Sequence, residues 1–329
     1  MKRSMVAVAA SILALTAVVA AQDIPIPAGR AKQIFEATPT KARVKPAKMR
    51  RVLIFNTPKH LLKRDPHKGY CTPYGCEAMK VLGKKTGAYE PVASDDASVF
   101  LPDSLATFDA VIFNNAAGDW ITPTEEMVKK VGNGATVASL EAKLKKSVKD
   151  WLRAGHGVVT YHFGLGANRK WKEFGEFFGA RIAGHPWNTA VGVTVEEPGH
   201  PLLAAFGGKG FWIREEVFQY REPFDRAKVR VLLSLDNDTI DLNVKNYRLR
   251  EDKDFALAWV KTYGRGRVFY AEFGHRTETY WNPAILQFYL DGIQFAIGDL
   301  KVPTEPRPAG AAKPARPPKE PPADLRKGK

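Results

Sequence analysis

Cysteine is almost absent from this chain: Cys71 and Cys76 are the only two in 329 residues. Their C-x4-C spacing leaves three options open. They form a disulfide in an oxidising compartment, remain two free thiols, or make half of a metal site, although two thiolates and one histidine are a sparse set for structural zinc. No G-x-S-x-G element occurs, so a serine hydrolase of the usual α/β kind lacks its signature. Long apolar runs are missing as well. The stretch from Met5 to Val19 falls short of the ~20 residues a spanning helix needs and has the plan of a secretory signal peptide: Lys2 and Arg3 precede it, and the small residues Val19-Ala20-Ala21 end it. Residues 1–21 are therefore expected to be cleaved on export. No cysteine follows for a lipid anchor, and no transmembrane segment is expected in the mature chain, which places the protein in the periplasm or outside the cell.

The central part of the chain also lacks the charge that the whole suggests. The net charge is +15, but residues 22–51 hold eight basic residues against two acidic ones, and 301–329 hold eight against three. With Lys2 and Arg3 also set aside, only +2 is left for 52–300. A nucleic-acid domain carries its positive surface on the fold itself, so no nucleic acid is expected as a partner. Residues 22–48 read as a basic linker. Residues 301–329, rich in Pro, Ala and Lys, have a composition that cannot bury a core and read as a disordered, solvated tail. Weak attraction to an anionic envelope surface is the interaction such tails offer.

Between them, 49–300 reads as one α/β domain. Val52-Leu53-Ile54-Phe55-Asn56 is a short apolar run typical of a strand buried on both faces. A polar loop follows, then a helix from about Gly75 to Thr86 stopped by Gly87, and strands at Tyr89–Ser94, Ala110–Asn114 and Gly157–His162. Helix-forming residues fill Pro123–Ala154, interrupted around Val131–Leu140 and closed by Gly155. Alternating strands and helices predict a doubly wound parallel sheet flanked by helices. In such sheets ligands sit at the carboxyl ends of the strands, which directs attention to Asn56, Asn114, Asn115 and His162. The second half is richer in strand: Ala190–Val195, Val229–Leu235, Phe255–Thr262 and Arg267–Phe273. A final helix opens with Asn282 as N-cap and Pro283 behind it, and its apolar stripe, Leu286, Leu290, Ile293 and Ile297, is core.

An ordered set of motifs runs over nearly all of 50–299: Lys68-Gly69-Tyr70, Gly83-Lys84-Lys85-Thr86-Gly87, Phe108 to Asn115, Gly184-His185-Pro186-Trp187, Gly199-His200-Pro201, Trp212-Ile213-Arg214-Glu215-Glu216, and Gly264 to Tyr270 followed by Gly274-His275. In this order they resemble the ThuA-like, or trehalose-utilisation, family. The resemblance implies a flavodoxin-like, class I glutamine amidotransferase-like fold and a role near sugar catabolism, particularly of disaccharides oxidised to 3-keto forms. Amidotransferase-like folds place their nucleophile on a tight strand-to-helix turn. Here that turn is Tyr161-His162-Phe163-Gly164-Leu165-Gly166, without Cys or Ser, so glutamine hydrolysis is not expected. Two departures from the family pattern stand out. Cys71-Thr72 stands where a first-loop histidine is common, and Glu215-Glu216-Val217-Phe218 has Glu for Asp and Phe for Tyr.

The candidate catalytic residues are His162, Glu216 and His275, as proton carriers or as ligands of one divalent metal; the sequence leaves the two roles open. In an extended segment only one of Glu215 and Glu216 enters the site, and Glu215 is expected to cap or to pair with Arg214. Asn114, Asn115, His185, Trp187 and Trp171 are the candidate substrate contacts, the tryptophans as faces for a pyranose. His200 and Arg267 are expected to be structural. These residues favour an exported enzyme acting on a small carbohydrate, a disaccharide or its 3-keto derivative, over a non-catalytic sugar-binding module of the envelope.

Overall fold

The computed structural model describes residues 24–307 and 313–326; the expected signal peptide lies outside them. One nine-stranded sheet organises the chain: β1 (Arg51–Phe55), β2 (Glu90–Ser94), β3 (Ala110–Asn114), β4 (Gly157–Tyr161), β5 (Arg181–Val195), β6 (Phe211–Arg221), β7 (Arg230–Leu235), β8 (Ala256–Tyr263) and β9 (Gly266–Ala271). They lie in the order β2-β1-β3-β4-β9-β8-β7-β5-β6. The pairings from β2 to β9 are parallel, and those from β9 to β6 are antiparallel.

Alternate residues of β1 enter opposite cores. Val52 and Ile54 face one apolar cluster, Leu53 and Phe55 the other, which is why the strand reads as an unbroken apolar run. The first cluster is covered by α1 (Ala28–Ala37), α2 (Thr72–Thr86) and α7 (Pro283–Ala296), the second by the short α3 (Pro102–Leu105) and α4 (Glu125–Val131), by α5 (Val137–Arg153) and by α6 (Lys172–Phe178). Thr136 and Ser139 close a capping box that starts α5 after the expected interruption. Asn282 accepts hydrogen bonds from the amides of Ala284 and Ile285, the cap the sequence predicts.

Two expectations about the ends of the domain are corrected. The 22–48 segment is not a bare linker: Ile34 of α1 is fully buried, Arg43 pairs with the buried Asp291 at 2.7 Å, and the main chain at Val44 bonds Gln294. Nor is 313–326 a solvated tail. Ala315 bridges to Val195 as an extra antiparallel partner, the Trp212 indole donates to Pro318 O, and Arg316 pairs with Asp236 and Asp238. Arg43 and Arg316 thus tie the two terminal segments to carboxylates of the domain. No helix of the described residues is long and apolar enough to cross a membrane.

Candidate metal centre

Three loops leave the carboxyl ends of parallel strands at one place. The loop after β1 carries His67, the turn after β4 carries His162, and the loop after β9 carries His275. Glu216 comes from the middle of β6. In a flat sheet β6 would stand roughly 19 Å from β9, four strand spacings away. Instead the amide of Phe218 donates to Glu272, and Glu215 accepts from the amides of Gly274 and Arg276. The antiparallel half therefore curls back over the end of β9 and delivers Glu216 to the histidines.

One ligand atom from each of His67, His162, Glu216 and His275 lies within 4.8 Å of every other. Glu216 Oε2 is 3.4 Å from both His162 Nε2 and His275 Nδ1, and its Oε1 is 3.3 Å from His185 Nδ1. These are approaches rather than aligned hydrogen bonds. Both nitrogens of His162 and the Nδ1 atoms of His67 and His275 are buried without a partner. Buried polar atoms are almost always satisfied, so four orphaned nitrogens on three clustered imidazoles, two of them facing Glu216, mark a space built for something else. Donors about 2.1 Å from one cation lie about 3.4 Å apart in a tetrahedral set, the separation of the two Glu216 contacts.

His162 stands at φ 46°, an uncommon conformation for a residue with a Cβ, on the turn that holds the nucleophile in amidotransferase-like folds. The turn is tight because Gly164 leaves room: a Cβ there would lie 2.2 Å from Thr160 Oγ1 and 2.8 Å from Phe113 O. The His162 ring lies flat on Phe218, centroids 4.5 Å apart, so this phenylalanine serves as its platform. Burial pushes the His162 pKa down, but the carboxylates of Glu216 and Glu272 outweigh it and lift it to about 9. Burial and the neighbouring imidazoles of His162 and His275 hold His67 at about 3. His275 is lowered to about 4, burial outweighing the opposing pull of Glu216. Two neutral imidazoles thus flank one that carries a positive charge, and that charge is what a bound cation would replace.

The surroundings orient these rings. Glu272 Oε1 faces His162 Nδ1 at 3.7 Å, and this carboxylate is held by the hydroxyls of Tyr220 and Tyr270 and the amide of Phe218. Asp65 faces His67 Nδ1 at 3.7 Å and is fixed by Thr57 and by the His67 amide. Carboxylates behind ligand imidazoles are the usual second layer of a metal site. Glu215, fully buried, binds the amides of Gly274, Arg276 and Glu216 and the hydroxyl of Thr279, and so clamps the His275 loop to β6. It caps, as expected.

Several sequence-based candidates stand elsewhere. Asn114 and Asn115 are wholly buried. Asn114 binds Asn56, Thr72 O and the Tyr161 hydroxyl, whereas Asn115 takes the Phe163 amide on its Oδ1 and donates to Gly274 O and the Tyr280 hydroxyl. They tie the site's loops together and present no group to a substrate. Trp187 is packed on Phe255 with its indole N–H bonded to Asp241 O, so its faces are not available for a sugar. Trp171 is 4% exposed and packs on Phe174 and Phe177, yet it also helps line a cavity beside His185. His200 caps the turn at Pro201 and contacts Pro303 O, and Arg267 binds Ala296 O and Gly155 O; both are structural, as expected. Cys71 and Cys76 are buried and form no disulfide with each other, their sulfurs facing the amides of Asn115 and Asn56.

Sequence reasoning missed His67 and Glu272. The first-loop imidazole that seemed replaced by Cys71-Thr72 is supplied by His67, three residues before Tyr70, and nothing local distinguishes it from an ordinary loop histidine. Glu272 had a signal: a lone charge after the apolar run Val268 to Ala271, where an unpaired carboxylate would be costly.

The family model for ThuA, trehalose utilisation, matches residues 51–296. The chain belongs to the ThuA family. A ThuA-like protein from Bacteroides uniformis is similar in structure at 19% identity, with a TM-score of 0.56 over 77% of this chain and 94% of that one. A ThuA-like protein from Parabacteroides merdae follows at 16% identity and TM-score 0.49, over 79% of this chain and 98% of that one. A cytoplasmic protein from Salmonella typhimurium is similar at 13% identity and TM-score 0.48, over 74% and 98%. At 19% identity the likeness to the Bacteroides uniformis protein concerns the fold alone. No curated protein matches the chain.

Proposed function

We propose that this ThuA-family protein is an exported, divalent-metal-dependent enzyme that processes a small carbohydrate, a disaccharide or its 3-keto derivative, and has no amidotransferase activity. The convergence of His67, His162, Glu216 and His275, with their buried nitrogens otherwise unpartnered, carries this reading. Three imidazoles and one carboxylate suit a first-row transition ion. Bound there, such an ion would polarise a sugar oxygen and lower the pKa of a water.

The chain's own groups supply the rest. Glu272 and Asp65 hold the His162 and His67 rings in place, and Phe218 fixes the plane of His162. His185, whose side chain is 56% exposed and which stands 3.3 Å from Glu216, is the group at the open side that can pass a proton to or from a substrate. The family's sugar-related name supports the substrate class, and the absence of Cys or Ser on the His162 turn argues against glutamine hydrolysis.

The test uses the mature chain. Metal content is measured directly, and disaccharides and 3-keto-disaccharides are incubated with wild type, His162→Ala and Glu216→Gln. Stoichiometric metal and turnover, both lost in the variants, are expected. Turnover that survives both substitutions sinks the assignment, and binding without turnover in the metal-loaded protein favours a sugar-binding module.

A further inference from the structure

A cavity of about 300 Å³ opens beside the candidate metal centre, with Phe163, Phe218 and His185 shared between the two. Trp171 and Phe163 give it aromatic walls, and its lining includes Arg169, Arg181 and Arg221 but no aspartate or glutamate. Ligand pockets of this kind combine apolar walls with a few placed polar groups. Here the polar groups are nearly all donors.

Arg181 and Arg221 are direct cross-strand partners of β5 and β6, a placement in which like charges repel. No carboxylate offsets them. Arg181 donates to Lys172 O and Arg169 to Gly166 O, both carbonyls, and the Arg221 guanidinium has no acidic partner among the described residues. By contrast, Arg226, Arg230 and Arg250 of the same half each hold a carboxylate. At the inner side, Asn168 is 1% exposed. Its Oδ1 accepts from Ile121 N, but its Nδ2 has no partner. Arg169 and Arg221 are exposed and Arg181 is half-buried, so water serves their guanidinium groups, but the buried Asn168 donor is costly left unmade, and three arginines with no carboxylate among them offer an acceptor-rich anion charge-assisted hydrogen bonds.

We infer that this cavity receives an anionic substituent of the sugar substrate, a carboxylate or a phosphate, held by Arg169, Arg181 and Arg221 while the sugar ring lies against the aromatic wall and reaches toward Glu216 and His185. The inference rests on the carbohydrate reading above and narrows it to acidic or phosphorylated sugars. Arginine matches both anions, because its planar fork meets either in a bidentate fashion.

Two pairs of probes separate the anion from the sugar: maltitol against maltobionate, which differ in a carboxylate, and trehalose against trehalose 6-phosphate. Calorimetry on the metal-loaded protein is expected to show one anionic member binding at least ~10-fold more tightly than its neutral partner. That preference should weaken with salt and collapse in Arg169→Ala/Arg221→Ala, whose metal content stays that of wild type. Which pair discriminates identifies the anion. No discrimination in either pair, whether from equal binding or from none, overturns the inference, as does a preference that the double variant retains. Metal content is read separately, so a protein that prefers the anion but holds no metal would sink the metal centre and leave this cavity standing.

Discussion

Single side chains set the chemistry through what surrounds them. His67→Ala removes one of three imidazoles and is expected to weaken metal binding by more than roughly 100-fold. Glu272→Gln, which reaches the centre through the orientation and charge of His162, should fall within the 10–100-fold typical of outer partners; dialysis against a chelator followed by metal titration checks both. His200 offers a pH test away from the centre. Burial lowers its pKa, against the pull of its contact with Pro303 O. The native state therefore binds fewer protons than the unfolded chain once pH drops below about 6.5, and stability is lost from there downward until the native ring titrates. Melting temperatures at pH 7.5 and 5.5 should fall less in His200→Gln than in wild type.

Strands and helices matter here for the turns they force. Gly164→Ala would drive a Cβ against Thr160 Oγ1 and Phe113 O, and overpacking of this kind costs about 1–3 kcal/mol. The His162 turn is the part that must give, so metal affinity should drop along with the melting temperature. Loss of stability alone, with metal binding intact, would show that the turn tolerates displacement. The cap of α7 makes a contrasting case. Asn282→Ala deletes the Oδ1 acceptor shared by two helix amides and should cost about 1 kcal/mol in denaturant unfolding, with metal content unaffected.

At the scale of the whole molecule the sheet is bent and strapped. Its antiparallel half curls back so that β6 meets the loop after β9, and the segment 313–326 lies along β5 and β6. A chain ending at residue 307 loses the Val195–Ala315 bridge, the Trp212 bond and the Arg316 pairs. It should be less stable by about 1–2 kcal/mol, a drop of roughly 2–8 °C. If the melting temperature does not move, those contacts contribute nothing and the tail behaves as its composition first suggested.

Much of this was written locally. The apolar runs of β1, β3 and β4, the glycine after α2 and the Asn282-Pro283 start of α7 specify their elements because their determinants are neighbours in the chain. The same patterning put His162 at a strand end, and the alternation of an extended segment separated Glu216 from Glu215. What only the tertiary structure decided depends on residues far apart in sequence. Asn114 and Asn115 stand at a strand end, as a ligand contact should, but three converging loops bury them and use up their hydrogen bonds. His67 joins the centre because the loop after β1 folds over the end of β4. Glu216 joins it because the sheet curls, and curvature of a sheet is a sum of many strand pairings that no short stretch of sequence records.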